Sequence, residues 1–306
     1  MSNDQRTIGV VIRVFAVRPE LAPSESKKAL TAVRDLIALN KNFSQPVFQQ
    51  ITLVVSTDER YIDSDCGLML ELLRRGTARW RKHNVVVSEA PVGDISCCAM
   101  NHGCYETALS GHEYSFTVSS TITSYLNVAI VSRMLIALEK GALVVPLAIG
   151  EHRGFVLNGR PLGTCTIWKN RELFNIGGFS LVAARPLKNL QKDRARTRWI
   201  EDYWPSRGEL IQYSLGGMEE VYAVIELIRL YGRCVAPIDP KGIADGIWIR
   251  PIDPERAARE DFKIKTKFSR FLSIATHMGV GPSFCLSGIM DGYGPEKEDI
   301  DTFAEY

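Results

Sequence analysis

The chain has 306 residues, enough to bury a domain-sized core, and its 45% apolar and 24% charged content is that of a folded globular protein. Lys and Arg total 37 against 35 Asp and Glu, and the resulting net charge of +2 argues against wholesale nucleic-acid binding while leaving room for a local basic patch. No apolar run approaches the ~18 residues that span a membrane, Met1–Thr7 is polar and Arg13 interrupts Ile8–Val17, so neither a membrane span nor a secretory leader is expected.

Ile8–Phe15 is rich in β-branched residues and reads as a strand. Ser24 is placed to cap a helix from about Glu25 to Lys41, whose Ala29, Val33, Leu36 and Ile37 form an apolar stripe. Ile51–Val55 is a second strand, running out into the polar cluster Ser56-Thr57-Asp58-Glu59. A helix over Cys66–His83, a short strand Val85–Val87, a helix over Cys97–Leu109 and the strand Tyr114–Val118 follow. That strand exits into Ser119-Ser120-Thr121. Asn127–Lys140 is helical and stopped by Gly141, and Ala142–Leu147 returns to strand.

Strand and helix alternating in this way give an α/β fold: a mainly parallel sheet with helices on both faces. Ligands of such sheets bind at the carboxyl ends of the strands, which puts Ser56–Glu59 and Ser119–Thr123 on one rim. After Gly150 the alternation fails. Lys188–Arg207 is highly charged, carries Trp199, Tyr203 and Trp204, and reads as a loop or lid; Met218–Tyr231 is a strong helix. The Pro-, Asp- and Gly-rich stretch 239–254 marks the expected boundary between a main domain, 1–238, and a C-terminal extension, 239–306, of one helix and an irregular tail. Within 256–277, Lys263, Lys265, Lys267 and Arg270 alternate with Phe262, Phe268, Phe271 and Leu272. Such a helix either packs on the main domain with its charges solvated or touches an anionic membrane surface.

The seven cysteines (Cys66, Cys97, Cys98, Cys104, Cys165, Cys234 and Cys285) are scattered. Cys97, Cys98, Cys104 and His102 do not have zinc-site spacing, so buried reduced thiols and a cytoplasmic setting are expected.

Four segments in order resemble inverting GT-A glycosyltransferases, the large family that includes many polysaccharide and glycolipid synthases. They are Ser56-Thr57-Asp58; Gly93-Asp94-Ile95-Ser96-Cys97-Cys98-Ala99-Met100-Asn101-His102-Gly103; the stretch from Gly163 through Trp168-Lys169-Asn170-Arg171-Glu172-Leu173-Phe174 to Gly177-Gly178-Phe179; and Met218-Glu219-Glu220-Val221-Tyr222. The resemblance spans roughly Ile8 to Ile238 and implies a GT-A-like nucleotide-diphospho-sugar transferase sheet.

It further implies that Asp58 contacts the nucleoside, a turn or helix cap being the alternative, and that Asn101 on its helix faces the donor, although Met100 stands where arginine is common. Lys169 and Arg171 would line the donor and neutralise phosphate, unless they are simply a solvated helix face. Glu220, with Glu219 beside it, would be the general base for the acceptor hydroxyl; acids in a first helical turn also stabilise the dipole without catalysing anything.

The departure is at Ser119 and Thr121, which stand where the family carries Asp-x-Asp and its Mn²⁺ or Mg²⁺. No metal ligand is assigned. The resemblance then implies transfer of a sugar from a nucleotide-diphosphate donor to a hydroxyl acceptor, with the phosphates offset by Lys169, Arg171 or Arg13 or by a metal held from Glu113 or Glu151. The alternative is a catalytically silent protein that binds a sugar nucleotide or a partner.

Overall fold

Ile8–Val14 forms β1, and six of its seven residues are buried, as a central parallel strand covered on both faces requires. The computed structural model describes residues 6–16, 19–56, 66–90, 96–150, 153–162, 165–180, 218–241, 267, 270–272 and 274–296. Within them β1 is followed by α1 (Ala22–Asn40), β2 (Phe48–Val55), α2 (Cys66–Thr77), β3 (Val85–Glu89), α3 (Ser96–Leu109), β4 (Tyr114–Val118) and α4 (Val128–Glu139). Then come β5 (Val144–Pro146), α5 (Arg153–Leu157), β6 (Cys165–Lys169), α6 (Asn170–Asn175), α7 (Glu219–Tyr231) and α8 (Phe284–Ser287). No described helix is long and apolar enough to cross a membrane.

The six strands lie in the order β3-β2-β1-β4-β6-β5. β1 to β4 pair in parallel, and β6 runs against both β4 and β5. This is the mainly parallel, helix-flanked α/β sheet that a GT-A-like architecture calls for. One face is covered by α1, α2 and α4, which bury Leu36, Leu73 and Met134 against Val10, Ile12 and Phe116. On the other, α3, α6 and α7 bury Ala99, Leu173 and Val224 against Val11, Val54 and Trp168. Gly103 makes the close approach of α3 possible, since a Cβ there would overlap Val11 and come within 2.9 Å of Val54.

Several element ends differ from the expectation: β2 begins at Phe48 and not at Ile51, and α2 ends at Thr77, with Ala78–His83 a 3-10 helix. α1 starts at Ala22, so Ser24 is inside the helix and its hydroxyl donates to Leu21 O at 2.9 Å instead of capping. Pro23 explains the earlier start: it has no N–H to satisfy and its ring favours a first turn. The expected strand Ala142–Leu147 is regular only over Val144–Pro146, and Leu147 makes an isolated bridge to Ile238. Asn127 caps α4 as its position suggests, accepting from Ile130 N at 2.9 Å, and Gly141 ends it at φ +94°.

Beyond α7 the chain extends the sheet at its β5 edge through the bridges Val144↔Val235 and Val235↔Ile289. Phe271, Ile274, Met278 and Cys285 share a cluster with Phe155, Val156, Val221 and Ile225. Residues on both sides of the expected boundary at Ile238 therefore contribute to one core. Lys188–Arg207 and most of 256–277 lie outside the described residues.

Candidate active site at the carboxyl rim

Alternation along the strands decides which side chains meet. Val11 and Val54 face α3, so Arg13 and Ser56, each two residues on, face the same way. On β4 the opposite parity holds Phe116 and Val118 against α1 and α4, leaving Ser115, Thr117 and Ser119 on the α3 side. β1 pairs with β4 from Ile8↔Tyr114 to Val11↔Thr117, and beyond Thr117 the two strands run on without pairing, Arg13 two residues past Val11 and Ser119 two past Thr117. Ser56 N bonds Val14 O at 3.0 Å, which fixes β2's exit beside that of β1. Arg13 and Ser56 thus stand together at the carboxyl ends of β1 and β2, on the face that α3 covers, and Ser119 lies at the carboxyl end of β4. Arg13 Nε donates to Ser56 Oγ at 3.3 Å, and its guanidinium lies 4.2 Å from the Phe15 ring centroid.

α3 runs back down the sheet from this rim, and its start meets the start of α7. The Cys97 thiol is held above its ordinary range first by its hydrogen bond with Cys98, then by burial and by the charges of Glu219 and Glu220. Glu219 and Glu220 are only 2% and 7% exposed, in the first turn of α7. Burial lowers the pKa of Arg270, and the Glu219 carboxylate opposes that shift. Glu219 therefore lies near both a cation of the C-terminal segment and the opening turn of α3. A charge buried this deeply is kept only with such compensation.

Ser119 and Thr121 do not fit a divalent cation. Both are neutral hydroxyls, bonded to each other at 2.9 Å, and the Ser119 hydroxyl also accepts from Thr121 N at 3.4 Å in a local turn. Among the described residues no group of three His, Cys, Asp or Glu could hold a metal. Among the described residues no disulfide is formed by Cys97, Cys98, Cys104, Cys165, Cys234 or Cys285, and His102 bonds Ser88 Oγ at 2.7 Å.

The other candidates divide. Asp58 lies outside the described residues. Asn101 is spent on architecture: its amide donates to Phe179 O at 2.9 Å and accepts from Phe179 N at 2.8 Å, clasping the turn after α6. Gly178, at φ +77°, is required there, because a Cβ would sit 2.5 Å from Asn101 Oδ1. Two family-like motifs remote in sequence thus meet, in a structural contact.

Lys169 and Arg171 are not brought to the carboxyl rim. β6 runs backwards, pairing Cys165 with Val118 at one end and Lys169 with Tyr114 at the other. Four residue steps carry Lys169 about 13 Å along β4 to the amino end of the sheet. There its ammonium pairs with Glu172 at 3.2 Å and Glu113 at 4.0 Å, and Arg171 is exposed in the first turn of α6.

Around Lys169 is a polar network that the linear pattern of residues does not reveal. Asn170, 3% exposed, accepts from Ser115 Oγ at 2.6 Å and donates to His112 O at 2.8 Å. Thr107 bonds Ser115, and His112 Nε2 contacts Gln50 Oε1 at 3.3 Å. Burial lowers the pKa of His112, whose Nδ1 is buried without a partner among the described residues. The available signal was Ser115 and Thr117, polar residues at alternate positions of an otherwise apolar strand. Thr117 accepts from Trp168 Nε1 at 3.1 Å.

No family model matches the chain. No curated protein matches it in sequence. Among solved structures it is similar to a mannosyltransferase from Pyrobaculum calidifontis in complex with GDP-Man and Mn²⁺, at 13% identity and TM-score 0.47, covering 91% of this chain and 66% of that one, just under two thirds. It is also similar to a cytidylyltransferase from Leptospira borgpetersenii, at 10% identity and TM-score 0.42, covering 93% and 99% of the two chains. A mycobacterial protein aligns at 13% identity and TM-score 0.41, over 94% and 76%. With every TM-score below 0.5, none of these likenesses bears on the chemistry of this chain.

Proposed function

We propose that this protein is a glycosyltransferase that moves a sugar from a nucleoside-diphosphate donor to a hydroxyl acceptor, with Glu220 as general base. The observation that supports it is the pair of buried acids opening α7, beside the start of α3 at the carboxyl rim, where a sheet of this kind takes its ligands. In a direct displacement the acceptor oxygen forms the new bond to the anomeric carbon as its proton passes to the Glu220 carboxylate. The bond from that carbon to the phosphate oxygen breaks, and the nucleoside diphosphate leaves with the electron pair. Glu219, with the Arg270 charge near it, keeps a second carboxylate in place beside the base. Asp58 is retained as the nucleoside contact. Phosphate binding by Lys169 or Arg171 is not retained, because both lie at the other end of the sheet.

The experiment is a thermal-shift screen of the full chain against UDP-, GDP-, CDP- and ADP-sugars, with Mn²⁺ and with EDTA. Stabilisation by at least one donor is expected; none with any donor in either buffer sinks the reading.

A further inference from the structure

A nucleoside diphosphate leaving group carries negative charge that something must offset, and the hydroxyls at Ser119 and Thr121 do not hold a cation for that purpose. We propose that Arg13 binds the donor diphosphate directly, in the place where a divalent ion would otherwise sit; this rests on the nucleotide-sugar reading above. Of the three cations the sequence offers for the role, Lys169 and Arg171 are at the amino end of the sheet and Arg13 alone is at the carboxyl rim. It lies near the carboxyl end of the central strand beside Ser56, and by the alternation from Val11 it faces the side that α3 and α7 cover.

The side chain is also prepared for the task. Its Nε is oriented by Ser56 Oγ and one face of the guanidinium is supported by the Phe15 ring, so its planar fork is held at the end of a buried central strand instead of wandering in solvent. In the displacement Arg13 forms and breaks no covalent bond. It meets the charge that gathers on the phosphate oxygen as the bond to the anomeric carbon breaks.

The test is calorimetric titration of the full chain with UDP, GDP, CDP and ADP and with the matching nucleosides, in EDTA and then in Mn²⁺. At least one diphosphate is expected to bind in EDTA. Arg13→Gln is expected to weaken it roughly 10- to 100-fold, as loss of charge-assisted hydrogen bonds does, leaving the nucleoside affinity unchanged. Arg13→Lys keeps the charge without the fork and should fall between. If the Gln variant does not fold, the Lys variant decides: loss confined to the diphosphate supports the assignment, and wild-type affinity overturns it. Diphosphate binding that ignores Arg13→Gln, or that appears only with Mn²⁺, overturns the role of Arg13 and leaves the nucleotide-sugar reading standing. No binding of any diphosphate by the unaltered chain in either buffer overturns both.

Discussion

The two ends of the sheet are built from similar residue types and do opposite things with them. At the amino end Thr107, Ser115, Asn170 and the His112 carbonyl are bonded to one another, and Lys169 is neutralised by Glu113 and Glu172. Polar groups there satisfy polar groups, and the outcome is a fixed joint between β4, β6 and α3. At the carboxyl end two carboxylates are buried side by side and an arginine is held by a serine and a phenylalanine. Groups that are expensive to bury have been gathered where chain ends converge. Such concentrations mark sites of chemistry more often than joints do.

That contrast can be tested from its strongest consequence downward. Glu220→Gln removes the base and keeps the shape, so transfer should fall by about 10²–10⁴-fold while donor binding is unchanged. Radiolabelled-sugar transfer beside calorimetry would show it, and retained turnover takes Glu220 out of the role. Asn170→Ala at the other end leaves Ser115 and the His112 carbonyl without their partner, and should cost roughly 2–3 kcal/mol in urea unfolding with no change in donor affinity.

His112 gives a pH signature to the same joint. Its pKa is lowered in the folded state, so the unfolded chain takes up the proton first. Its contribution is present above the ordinary histidine value of about 6.5 and is lost as pH falls through the folded-state value. Urea midpoints should drop on going from about pH 7.5 to about pH 5.5 and drop less in His112→Asn; equal slopes would remove His112 from the account. The smallest effect is expected of Lys169→Ala, about 0.2–1 kcal/mol for half-exposed ion pairs, with nucleotide affinity untouched. A clear loss of nucleotide affinity would break the division between the two ends.

Much of this architecture is legible in the residues alone. Runs such as Ile8–Val14 declare buried parallel strands, and Asn127 and Gly141 bracket α4 from local chemistry. What a linear pattern does not carry is direction. Cys165–Lys169 reads as a strand either way, and only pairing with β4 reveals that it runs backwards. Lys169, which the family resemblance puts beside a donor's phosphates, is carried by that direction to the amino end of the sheet. Asn101 misled for a related reason: its amide is equally suited to a ligand or to a peptide, and the peptide at Phe179 lies 78 residues away in the chain. Glu219 and Glu220 are singled out by their likeness to the acidic pair that opens a helix in the GT-A family, and they open α7. Their burial, at 2% and 7% exposed, is not readable from the linear pattern.

Arg160 carries a practical consequence. Its guanidinium lies beside the edge-to-face pair Phe155 and Phe271, 5.4 and 4.0 Å from their centroids, and donates to Pro282 O at 3.1 Å; burial brings its pKa down to about 10. One cation therefore rivets the stretch after β5 to the last part of the chain. A chain cut after Ile238 would leave this cation without the Phe271 ring and the Pro282 carbonyl, and would bare the side of α7 that packs on Phe271, Ile274 and Cys285. Shortening the protein to an apparent minimal domain would be expected to yield aggregating material. Expression work is better served by keeping everything through Tyr293.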